Sequence, residues 1–205
     1  MIKNVIFDIG NVLVDFRWRE YLIEKGFDAD TIKRIVKASV ASPYWDEFDR
    51  GALTESEAMD LFIGLDPGIE KELHEAYDSI VGMLKKRDDA IPWIKALKAA
   101  GYGVYYLSNY SRKAYEECSD TIDFMPYMDG GLLSFQELVI KPSPEIYTRL
   151  LERYNLVAEE CVFIDDTEKN VIAARELGFA GIVHTSYEET KKNLSALGVE
   201  YSLAD

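Results

Sequence analysis

Hydrophobic positions along this chain keep two rhythms, and the rhythm changes where the chain leaves its first strand and again near residue 90. Val5-Ile6-Phe7 is a continuous β-branched and aromatic run, the pattern of a strand covered on both faces; it ends in Asp8, and Gly10-Asn11 signals the turn that follows. Val12 to Phe16 reads as a short extended excursion. From Arg17 onward apolar residues recur at spacings of three and four. Asp30 to Ala41 predicts a helix with Ile32, Ile35, Val36 and Val40 on one face, and Thr54 followed by Glu57 is a capping box. Asp66-Pro67-Gly68 interrupts, and Ile69 to Leu84 predicts a further amphipathic helix, so residues 17 to about 88 are expected to be helical throughout.

From Ala90 the pattern becomes helix, glycine, strand. Ile91-Pro92 opens a helix that Gly101 stops, and Gly103 to Leu107 is the next strand, ending in Ser108-Asn109. Leu132 to Ser134 is a short strand candidate leading to Lys141-Pro142, with a helix from Glu145 to Tyr154. Cys161 to Ile164 is a strand ending in Asp165-Asp166, followed by a helix from Asn170 to Leu177; Gly181 to Val183 is the last strand, with a helix through Leu194 after it. The alternation predicts an α/β fold, a Rossmann-like three-layer core with a parallel sheet, formed by residues 1–16 and 89–205, with an all-helical segment, 17–88, inserted after the first strand.

Composition narrows the function. With 48% apolar residues in 205, the chain can build one good core and a small insertion. Its net charge of -14, from 23 Lys and Arg against 37 Asp and Glu, leaves no basic surface for nucleic acid or an anionic membrane. An anionic ligand would need a local positive site. Cys118 and Cys161 lack metal-ligand spacing, and no signal or spanning segment opens the chain, so a reduced cytoplasmic protein is expected. His74 and His184 are isolated, and histidine chemistry is not expected; a homodimer is left open.

In one parallel sheet Asp8, Ser108-Asn109, Lys141 and Asp165-Asp166 converge on one edge, where α/β sheets place their ligands. Four segments resemble, in order, the motifs of the haloacid dehalogenase-like hydrolase superfamily: Phe7 to Val12, Leu107-Ser108-Asn109, Lys141-Pro142, and Ile164-Asp165-Asp166 through Asn170. The inserted helices are similar to that family's helical cap, and Trp45 to Gly51 resembles a segment of its sugar-phosphatase-like branch. The resemblance implies Asp8, Ser108 and Lys141 as catalytic residues, Asn11, Ser108, Asn109 and Lys141 as contacts for a small phosphorylated substrate, and Mg²⁺ as cofactor. It assigns the metal to Asp8, the Gly10 carbonyl and Asp166, with Asp165 and Asn170 behind them.

The chemistry suits these residue types. A carboxylate such as Asp8 can attack phosphorus to form an aspartyl-phosphate, hard divalent ions take oxygen ligands, and Lys141 can balance the charge between nucleophile and phosphate. Adjacent carboxylates such as Asp165-Asp166 repel unless a cation relieves them. One position departs from the family's phosphatases: the acid-base Asp two residues after the nucleophile is here Gly10. Leaving groups that tolerate negative charge, an aryl phosphate or a sugar phosphorylated at its anomeric oxygen, are therefore expected to react best. The alternatives are a 2-haloacid dehalogenase, which has no use for the acidic pair, and a catalytically silent binding protein on the same fold. Trp18, Tyr44, Trp45 and Arg50 are candidate pocket residues, with packing the expected role of the tryptophans.

Overall fold

A computed structural model describes residues 1–203. In chain order its strands are β1 (Asn4–Phe7), β2 (Val14–Phe16), β3 (Leu84–Lys86), β4 (Gly103–Ser108), β5 (Gly130–Leu133), β6 (Cys161–Asp165) and β7 (Ala180–Val183). Five of them form a parallel sheet in the order β5-β4-β1-β6-β7. The chain leaves β1 in one direction for β4 and β5, then returns to its other side for β6 and β7. That reversal beside β1 is the place where such sheets open a ligand crevice at their C-terminal edge.

The continuous apolar run of β1 is buried on both faces, as its pattern predicts. Val5 and Phe7 pack with Val104, Val162 and Ile164 against Trp93, Ile94 and Leu97 of α6 (Ala90–Ala99). Ile6 packs with Leu107 and Phe163 on the opposite face, against Ile146, Tyr147 and Leu150 of α9 (Pro144–Tyr154) and Ala173 and Ala174 of α10 (Glu168–Glu176). Each fully buried Val, Ile or Phe contributes roughly 1.5–3 kcal/mol. Burial from both sides therefore fixes β1, and with it the position of Asp8 one residue past its end.

Between β2 and β3 lie α1 (Trp18–Glu24), α2 (Ala29–Ala38), α3 (Pro43–Arg50), α4 (Glu55–Leu65) and α5 (Glu70–Tyr77). The capping box forms: the Thr54 hydroxyl accepts from the Glu57 amide at 3.2 Å, and Glu57 accepts from the Thr54 amide at 2.9 Å. The expectation of one helix from Ile69 to Leu84 is corrected. α5 stops at Tyr77, where the Tyr21 hydroxyl donates to the Ala76 carbonyl at 2.9 Å, and Leu84–Lys86 pairs antiparallel with Val14–Phe16. The strand wins because β2 offers it a ladder of backbone partners, which a periodicity reading cannot see. Both crossings between the sheet and the inserted helices are thus tied into one two-stranded ribbon.

One inserted helix also reaches the sheet. α3 follows Ser42 with Pro43 at its first position and ends at Gly51, which adopts φ 77°. A Cβ there would lie 2.7 Å from the carbonyl oxygen of Phe135, in α8 (Ser134–Glu137), so glycine allows both the turn and the close approach. Gly51→Ala is expected to lower stability by about 2 kcal/mol or more, since the left-handed backbone alone costs ~1–2 kcal/mol. Urea unfolding measures it, and an unchanged midpoint would show that this contact is dispensable.

Candidate active site

Strand register builds the site. Phe7 pairs with Ile164, and the Asp8 amide donates to the Ile164 carbonyl at 2.8 Å, which brings Asp8 beside Asp165 at the tips of β1 and β6. The Lys141 ammonium joins them, 2.8 Å from Asp8 Oδ1 and 2.6 Å from Asp165 Oδ2, with Lys141 1% exposed and Asp165 fully buried. Asp165 is further held by the Asn170 amide, at 3.1 Å from both of its oxygens, and by the Thr167 N–H at 2.7 Å. Asp8 Oδ1 also accepts from the Ile9 amide at 2.7 Å.

Two expected substrate contacts are occupied elsewhere. The Asn109 side chain accepts from the Lys141 N–H at 2.8 Å and donates to the Lys141 carbonyl at 3.1 Å, so it holds the lysine's backbone and leaves its own main-chain N–H for a ligand. The Asn11 side chain donates to Asp166 Oδ2 at 2.8 Å and accepts from the Phe16 amide at 3.1 Å. It adopts φ 55°, so the left-handed residue of the Gly10-Asn11 turn is Asn11. Gly10 itself faces open space, with no atom within 4 Å of the position a Cβ would take. Ser108 is buried at the tip of β4, where its hydroxyl favours the ionised form of Asp8.

Oxygens of Asp8, Asp165 and Asp166 lie within 4.8 Å of one another. Three carboxylates against the single Lys141 ammonium leave two negative charges uncompensated, and that deficit, with hard oxygen donors, fits a divalent ion such as Mg²⁺. Without a metal, burial pushes the Asp8 carboxyl up to about 7; the Lys141 charge opposes the shift and the Asp165 charge adds to it. Burial also acts against the Lys141 charge, yet Asp165 and Asp8 keep the ammonium above its ordinary pKa.

Over the strand tips opens a cavity of about 460 Å³, with Gly10 and Asn109 in its wall together with Trp45, Phe48 and Asp49 of α3. Trp45 is therefore a pocket residue as well as a packing one, stacked on Phe62 at 6.2 Å; Trp18, Tyr44 and Arg50 do not line the cavity. Asp49 was missed in the sequence, although its spacing of four from Trp45 puts both on one helix face. Its carbonyl accepts from the Ser134 hydroxyl at 2.5 Å, and Ser134 in turn accepts from the Tyr110 N–H at 2.8 Å, which anchors this point of α3 to the end of β4. Burial, with the charges of Asp46 and Asp8, pushes the Asp49 carboxyl up to about 7, while the Trp45 indole opposes the shift. Neither histidine reaches the strand tips: His74 pairs with Asp78 in the exposed part of the cavity wall, and His184 is buried against the Thr190 hydroxyl.

A carboxylate whose pKa is raised from 3.8 to about 7 weakens the metal-free fold fully above pH 7, and the penalty fades as pH falls from about 7 to 3.8. Asp8→Asn removes it. At pH 8 with a chelator the variant is expected to exceed wild type in stability by a few kcal/mol, on the order that ~1.36 kcal/mol per pKa unit implies, and to lose most of that margin by pH 4. A margin independent of pH in denaturant melts would show that Asp8 ionises freely.

Known proteins resemble this chain in sequence and in fold. The chain is 27% identical to the sesquiterpene phosphatase astK of Aspergillus oryzae, over 88% of each chain. It is 30% identical to a D-ribitol-5-phosphate phosphatase of Bacteroides thetaiotaomicron, over 87% of this chain and 90% of that one. A HAD family enzyme of the same bacterium, solved as a magnesium complex, superposes with a TM-score of 0.70 at 24% identity, covering 94% of this chain and 98% of its own. The profile of the haloacid dehalogenase-like hydrolases matches residues 2–178, and the chain belongs to that family.

Proposed function

We propose that this hydrolase is a Mg²⁺-dependent phosphatase of a small phosphorylated metabolite, working through an aspartyl-phosphate on Asp8. The observation that carries the reading is the cluster of three carboxylates, two of them paired with one buried lysine, which when all are ionised is two charges short of neutrality. Phosphatase relatives support the substrate class. Asp166, Asp8 and the Gly10 carbonyl would hold the ion, which supplies charge neutralisation for an otherwise anionic site facing an anionic substrate. Residues 1–16 and 89–205 form the catalytic core, and 17–88 the cap that closes over the substrate.

In this reading an Asp8 oxygen attacks phosphorus as the ester oxygen departs. Lys141, the Ser108 hydroxyl and the Asn109 N–H stabilise the phosphoryl oxygens, while Asp165 and Asn170 keep the lysine aimed. The leaving oxygen needs a proton that Gly10 cannot give. Asp49 is a carboxylic acid on the cavity wall, its pKa near 7 suited to the task, and it would protonate the leaving group and later take a proton from the water that releases phosphate.

With Mg²⁺, phosphate release from phosphate esters is expected, and no halide from 2-chloropropionate; the reverse result would favour the dehalogenase. Asp8→Asn should retain less than about a thousandth of wild-type turnover. Asp166→Ala should raise the Mg²⁺ concentration needed for half-maximal activity at least about tenfold. Asp49→Asn should slow alkyl phosphates by about 10²-fold or more and aryl phosphates less, because general acid catalysis is worth ~10²–10⁴-fold and matters least for good leaving groups. Gly10→Asp, placed in open space, should recover part of that loss. Equal slowing of both ester types would remove Asp49 from the proton transfer.

A further inference from the structure

Gly10 left two substrate classes in view, aryl phosphates and sugar phosphates, and the cavity wall separates them. The cavity, at about 460 Å³, falls within the ~300–1,000 Å³ typical of small-molecule sites. Beyond Gly10 and Asn109 the apolar part of its wall is built from Phe16, Trp45, Phe48, Met59, Phe62 and Met83, with Asp49 beside them. The rings of Trp45, Phe48 and Phe62 lie against one another at 6.0 and 6.2 Å, which makes this wall a fixed apolar surface. Several polar groups along it are already engaged: Lys113 with Glu55 at 2.8 Å, His74 with Asp78 at 3.1 Å, the Tyr77 hydroxyl with Ser39 at 2.6 Å, and the Ser111 hydroxyl with the Ala114 N–H at 3.2 Å, while the Tyr110 hydroxyl is buried without a partner.

From this wall we infer that the preferred substrate is the phosphate ester of an apolar alcohol or phenol, whose hydrocarbon body fills the space under Trp45 and Phe62 while its phosphate reaches Lys141. The inference rests on the phosphatase reading and adds the leaving group to it. A sugar or polyol would bring several hydroxyls to a wall with few free partners, and each hydroxyl buried unpaired lowers affinity about fivefold or more. Hydrocarbon loses nothing there and gains by leaving water. Met59, an unbranched thioether, adapts its shape to a hydrocarbon and offers a hydroxyl little.

The test is a series of n-alkyl phosphates from ethyl to octyl, assayed with Mg²⁺ beside ribitol 5-phosphate, glucose 1-phosphate and naphthyl phosphate. Leaving-group acidity barely changes along the alkyl series, so its slope reports apolar contact alone. kcat/KM is expected to rise up to about fourfold per methylene, the factor that ~0.8 kcal/mol per buried CH₂ gives. The longest esters and naphthyl phosphate should exceed both sugar phosphates. Met59→Gln, which keeps the length of the side chain, should flatten the slope. Trp45→Ala should flatten it further, with a melting curve to show that the variant is folded. A flat series with a sugar phosphate as the better substrate would overturn the inference and leave the phosphatase reading intact. Absence of phosphate release from every ester would instead overturn the phosphatase reading, and the inference with it.

Discussion

One ammonium shared by two buried carboxylates organises this molecule's chemistry. Lys141 has almost no contact with water and sits within hydrogen-bond distance of both Asp8 and Asp165. Removing three such groups from water costs several kcal/mol per ion, and Coulombic attraction offsets that only where the geometry is held tightly. The fold holds it from each side: β1 and β6 by register, Asn170 and Thr167 at Asp165, and Asn109 clasping the lysine's main chain. With Asp166 added, the negative charge of the ionised groups still exceeds the positive, an electrostatic stress that a bound cation would relieve. Stability lost to that stress is typical of sites preorganised for a ligand.

The sheet was legible because its signal is local. Continuous β-branched runs that end in Asp8, Ser108 and Asp165 mark parallel strands and their C-terminal tips, and the parallel register then brings those tips together without further information. Residues whose role depends on a distant partner were not legible. Leu84–Lys86 has no pattern that distinguishes it from a helix end, and it becomes a strand only because Val14–Phe16 lies beside it. Asn11 and Asn109 could be placed at the site by their motifs, yet what their amides bond to, Asp166 and the backbone of Lys141, depends on loops that spacing does not describe. Asp49 was the largest omission. It lies on a helix remote in sequence from the strand tips, and the contact from Ser134 together with the packing of Gly51 on Phe135 holds that helix against the end of β5.

The same geometry divides labour between the two parts of the chain. In the proposed mechanism the strand tips hold the phosphoryl group, whereas the inserted helices would supply the proton donor and the wall that the leaving group meets. Gly51, packed on the Phe135 backbone, joins the two where they must agree. In the proposed mechanism the acid lost at position 10 is replaced from the inserted helices: the turn after Asp8 is left open, and Asp49 lines the same cavity as Gly10.

The central claim is that Asp8 becomes covalently phosphorylated, and acid-quenched single-turnover mass spectrometry addresses it most directly. With Mg²⁺ and substrate in the millisecond range, the account predicts one added phosphoryl group, mapped to the peptide that carries Asp8, absent when Mg²⁺ is chelated and absent in Asp8→Asn. Phosphate released in that single turnover with no labelled protein at any time, or with the label on another residue, would contradict it.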